Sequence, residues 1–65
     1  MTQIEVWTKD TVTPLIFEEV EEYWERRKQL EILQEEMYTT TLTVIPRESI
    51  LRYKIIESRW DYDLW

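Results

Sequence analysis

Sixty-five residues limit the chain to one domain with one core, because a chain this short buries only about 60% of its unfolded surface. It has no Cys, His or Gly, which excludes disulfides, thiolate and imidazole metal sites, Cys and His catalysis, and the glycine loops that cradle phosphates. Fourteen acidic residues against eight basic ones give a formal net charge of −6, which argues against a polyanion as direct ligand.

Four Trp, four Tyr and one Phe supply core volume that the short chain otherwise lacks. No apolar run approaches the roughly 18 to 20 residues of a membrane span, and Met1 to Glu5 lacks the basic and apolar regions of a signal peptide, so a cytoplasmic location and no membrane partner are expected.

In chain order, Ile4-Glu5-Val6 is the first apolar-polar-apolar triplet, the period-two pattern of a strand with one buried face. The stretch from Pro14 to Met37 is ambiguous. Its Glu, Arg, Lys, Gln and Leu favour helix, with Thr13 as cap and Ile16, Val20, Tyr23, Trp24, Leu30 and Met37 on one stripe. That helix would bury Arg27, Glu31 and Gln34 and expose Ile32 and Leu33. The competing reading takes Thr13 to Phe17 and Val20 to Trp24 as strands, Glu25 to Gln29 as a turn and Leu30 to Gln34 as the next strand, with Val20, Trp24, Leu30 and Ile32 facing the core.

Thr39 to Ile45 is β-branched at six of seven positions, a composition that penalises helix. Within it, Leu42-Thr43-Val44 repeats the triplet form and places Val44 in the core. Ile50 to Glu57 is the longest strand candidate, with Leu51, Tyr53 and Ile55 on one face and Ile50, Arg52, Lys54 and Ile56 on the other. The expected fold is therefore mostly β, a small antiparallel meander of five to six strands over a single domain, 1–65. The alternative is α+β: a strand, a long helix from about 14 to 37, then a two-stranded hairpin.

Two constellations are candidates for partner binding. Glu18, Glu19, Glu21 and Glu22, with Glu25 nearby, form a carboxylate cluster that can imitate a phosphate backbone, or simply a solvated face. The tail 60–65 alternates rings and carboxylates, with Trp60, Asp61, Tyr62, Asp63 and Trp65 as its recognition residues. It suits docking into a basic-rimmed apolar pocket, or closing the core or a homodimer seam. Arg47, Arg52, Lys54 and Arg59 form a local basic excess, expected to pair across strands with Glu5 or Glu31.

Metal binding lacks an Asp-x-Asp-x-Asp-Gly loop, Asp61 and Asp63 offering only two carboxylates, and a paired-carboxylate hydrolase lacks the material for a cleft. No catalytic residue, cofactor or metal site is assigned.

The succession Ile4–Asp10, Phe17–Tyr23, Leu30–Ile32, Thr41–Ile50 and Tyr53–Ile55 resembles, in layout, small β-meander accessory proteins encoded by phages and prophages. The resemblance implies a non-enzymatic protein that binds a host or phage protein, for instance as an inhibitor. A homo-oligomeric structural or assembly subunit is the alternative, with the chain itself as partner.

Overall fold

The computed structural model describes residues 2–57, which form five antiparallel strands in one sheet. These are β1 (Thr2–Thr8), β2 (Leu15–Glu25), β3 (Gln29–Glu35), β4 (Thr40–Pro46) and β5 (Ile50–Glu57), with a single 3-10 turn, Arg47–Ser49, between the last two. The meander expectation holds, and the helix over 14–37 does not form. Burying the charged part of that stripe would have been costly, and the strand solution leaves those side chains at the surface or half-covered.

The sheet order is β4-β3-β2-β1-β5, so β4 and β5 lie at opposite edges although only three residues separate them in the chain. A flat sheet cannot satisfy both conditions, because neighbouring strands are about 4.8 Å apart and a three-residue link cannot cross the intervening strands. The sheet must roll, bringing the ends of β4 and β5 together. Backbone bonds seal this corner: Lys9 N–H donates to Ser49 C=O at 3.0 Å, and Arg47 N–H donates to Lys28 C=O at 2.9 Å.

The roll is made by β2. Its first part pairs with β1 (Ile4 opposite Phe17, Val6 opposite Leu15), its second part with β3 (Tyr23 opposite Ile32, Glu25 opposite Leu30), and Val20 pairs with both Thr2 and Gln34. Two register shifts flank Val20. Three steps from Phe17 to Val20 match two on β1, and two steps from Val20 to Glu22 match one on β3. Each is a bulge, which bends and twists the strand that carries it. Two bulges within five residues let one strand serve both halves of the roll, where the sequence reading had two strands, Thr13–Phe17 and Val20–Trp24.

Between the halves lies the core: Ile4 and Val6 from β1, Val20 from β2, Leu30 and Ile32 from β3, and Ile45 from β4, all buried. Phe17, Tyr23, Ile50, Tyr53 and Ile55 pack around it. Ile4, Val6, Leu30 and Ile32 are fully covered, and each such side chain contributes roughly 1.5–3 kcal/mol. The one buried polar residue among those described, Thr8, shares a hydrogen bond between its hydroxyl and that of Thr11, 3.0 Å apart.

Three face assignments are corrected. Ile45, not Val44, enters the core. β4 pairs with β3 so that Ile45 lies opposite Leu30 and Thr43 opposite Ile32, which turns Leu42 and Val44 to the outer face. In β5 a register shift sets both Ile50 and Leu51 against Thr8 of β1, so Ile50 joins Tyr53 and Ile55 inside while Leu51 is exposed. Trp24 lies opposite Glu31, outside the core cluster.

The hairpins close without glycine. Met37 and Tyr38 form the tip of the β3–β4 turn, across which Glu36 and Thr39 exchange backbone bonds of 2.7 and 3.3 Å. Neither has positive φ, which excludes the mirror-image hairpin turns and leaves type I geometry.

Candidate functional site

The carboxylates Glu18, Glu19, Glu21 and Glu22 occupy the two bulges of β2 and are all exposed. In an unbroken strand alternate residues would point inward, and two of the four would face the core. Each bulge inserts one extra residue, so the inward positions become Phe17, Val20 and Tyr23 and every residue between Phe17 and Tyr23 except Val20 is turned out.

Glu19 has φ of 52°, the only positive φ among the described residues. A side chain with a Cβ pays roughly 1–2 kcal/mol in that region. The neighbouring backbone is held by Gln34, whose side-chain amide donates to Glu18 C=O at 2.8 Å. Ile16, Glu18, Glu19, Gln34 and Glu36 line a shallow concavity of about 530 Å³, mostly polar and open to solvent.

Among the described residues the only ion pair within 4 Å joins Arg26 and Glu31, at 3.5 Å. Glu18, Glu19, Glu21 and Glu22 thus have no ion-pair partner within 4 Å among the described residues. No described group of three or more acidic residues has the geometry to hold a metal ion.

The basic residues are divided rather than gathered into a stripe. Arg52 and Lys54 lie on the outer face of β5, Lys54 opposite Glu5 in register but without an ion pair within 4 Å, and Arg52 opposite Trp7, with its guanidinium 4.4 Å from the ring centroid, while Glu31 pairs with Arg26 instead. Arg47 sits at the rolled corner. Its Nε donates to Arg26 C=O at 3.0 Å, its Nη1 donates to the Tyr53 hydroxyl at 3.3 Å, and its guanidinium lies 5.1 Å from the Tyr53 ring centroid. The Tyr53 hydroxyl in turn donates to Glu25.

That last bond, with burial next and Arg47 opposing, raises the Tyr53 phenol above its ordinary value of 10.0. Tyr23 is raised by desolvation, then by Glu57, to which its hydroxyl donates at 3.3 Å. Both clusters join residues 28 or more positions apart, Tyr53 to Glu25 and Tyr23 to Glu57. Such pairs become adjacent only once strand order and register are set, and nothing local in the sequence marks them.

Trp60, Asp61, Tyr62, Asp63 and Trp65, with Arg59, lie outside the described residues. The described candidates, Glu18, Glu19, Glu21 and Glu22, form an exposed acidic ridge only in the sense that all four are exposed within residues 18–22 of β2, Glu18 and Glu19 sharing the concavity above. Comparison with protein-family models, with curated proteins and with solved structures returns no match for the chain.

Proposed function

We propose that the chain is a non-enzymatic protein-binding module that engages a basic surface on a host or phage protein through the carboxylate ridge of β2, as an inhibitor of that protein would. The observation that carries this reading is the display of Glu18, Glu19, Glu21 and Glu22 on two consecutive bulges without counter-ions among the described residues. The roll of the sheet accounts for the bulges, but not for a glutamate at positive φ, where glycine would carry no penalty. Backbone held in an unfavourable region is a recurrent feature of binding sites. Closely spaced carboxylates steer basic partners into encounter and select against acidic ones.

The test is capture of a partner from host lysate by the intact chain and by the pair Glu18→Lys/Glu21→Lys, at low and high salt. A stoichiometric partner that elutes as salt rises, and binds the charge-reversed chain at least about tenfold more weakly, is the expected result. Equal retention by both proteins would remove the ridge from the interface.

A further inference from the structure

β4 is an edge strand. One side pairs with β3, and the other is unpaired among the described residues. The seven residues Thr40–Pro46 carry no charge in a chain that is 34% charged. Their pairing with β3 runs from Gln29 opposite Pro46 to Glu35 opposite Thr40 with no register shift, so the edge is regular. Soluble proteins usually blunt such an edge with charge, a bulge or an internal proline. β5, at the other edge, has Arg52, Lys54 and a bulge at Leu51.

The backbone direction of β4 follows from its two ends. Glu36 and Thr39 exchange bonds at the turn, and Arg47 N–H donates to Lys28 at the far end. Antiparallel alternation then turns the N–H and C=O groups of Thr41, Thr43 and Ile45 toward β3, and those of Thr40, Leu42 and Val44 toward the open edge. The side chains of Leu42 and Val44 are 55% and 46% exposed on the outer face, with Leu42 opposite Leu33.

Charge decides what this edge fits. Glu35 and Glu36 flank its Thr40 end, while Arg27, Lys28, Arg47 and Glu48 flank its Pro46 end, three positive charges against one negative. A second copy laid antiparallel brings each acidic end against the other's basic end, twice by symmetry, and a parallel copy would oppose like charges.

We propose that β4 pairs with β4 of a second copy about a twofold axis at Thr43, joining two rolled sheets into one continuous sheet. Leu42 and Val44 of the partner subunit then exchange both backbone bonds, and the symmetric pair does the same. The four aliphatic side chains meet on the outer face. This seam differs from the aromatic tail, and β3 lies between it and the bulges of β2, so its test by oligomeric state is read separately from partner binding.

Sedimentation of the full chain from about 1 μM to about 1 mM is the test, with the mass expected to reach twice 8.2 kDa. Leu42→Pro removes an N–H that points to the open edge and none that bonds β3. It should raise the dimer Kd on the order of 30-fold, since one donor is lost from each protomer, with the circular dichroism spectrum retained. Val44→Lys, at a side chain already half exposed, should weaken the dimer similarly and decides the matter should the proline variant not fold. A wild-type chain that stays monomeric throughout, or a dimer whose Kd is unmoved by the folded variant, would overturn the proposal.

Discussion

Ile32 and Val44 are β-branched aliphatics on adjacent strands, each ending an apolar-polar-apolar triplet, yet Ile32 is fully covered and Val44 is about half exposed. Ile32→Ala leaves a cavity between the two halves of the roll and should cost about 2–5 kcal/mol, whereas Val44→Ala should cost less than about 1 kcal/mol. Urea midpoints of the two variants check this, and equal losses would mean that β4 is paired one residue out of register. Leu30-Glu31-Ile32 reveals its phase because a carboxylate will not sit in the core. Leu42-Thr43-Val44 does not, since Thr is tolerated on either face of a strand and Ile45 follows directly. There the face is set by pairing with β3, which the triplet alone does not specify.

Strand β2 shows how an element can imitate another's periodicity. Its inward residues Phe17, Val20 and Tyr23 recur every three positions because each bulge adds a residue to a period of two. A spacing of three is also a helical spacing, and the segment's glutamates are good helix formers, so within β2 the local signals fit a helix as well as a strand and leave the stretch ambiguous. The β-branched β4 and the triplets of β1 and β3 were legible because no bulge interrupts their pattern. Of the carboxylate ridge, the clustering was visible in the sequence. Its outward display was not, because that depends on the bulges.

The positive φ at Glu19 gives the first bulge a direct test. Glu19→Gly removes the Cβ penalty and should leave stability unchanged or raise it by up to about 1 kcal/mol, whereas Glu19→Val should lower it by about 1–2 kcal/mol. Thermal melting of both variants measures the difference. A glycine variant as destabilised as the valine one would show that the backbone at this position is not left-handed in solution.

Across the whole molecule, rolling the sheet solves one problem and creates another. It gathers the inward side chains of all five strands about one core, but it needs a fastening where β2, β4 and β5 converge. Arg47, Tyr53 and Glu25 supply it. Arg47 bonds the β2–β3 turn through its main chain and its Nε, and Tyr53 connects Arg47 to the carboxylate of Glu25. The link from Tyr53 to Glu25 holds only while Tyr53 keeps its proton, since a phenolate cannot donate to Glu25.

The sign of the pH effect follows from the raised value of Tyr53 in the folded state. The unfolded chain releases this proton near the ordinary value of 10.0 and the folded chain only above it. The stabilisation is therefore complete below about pH 10 and is lost as pH rises through the folded value. Tyr53→Phe should be less stable than the wild type at pH 8, and the gap between their urea midpoints should shrink steadily above pH 10. Tyr23, raised in the same direction, is present in both proteins and cancels in the comparison. Arg47→Lys keeps the charge but lacks the planar fork, so it should lose much of the stability that Arg47→Ala loses, about 1–3 kcal/mol at neutral pH. A Tyr53→Phe curve parallel to the wild type from pH 8 to pH 12 would show that the phenol closes the roll by packing alone.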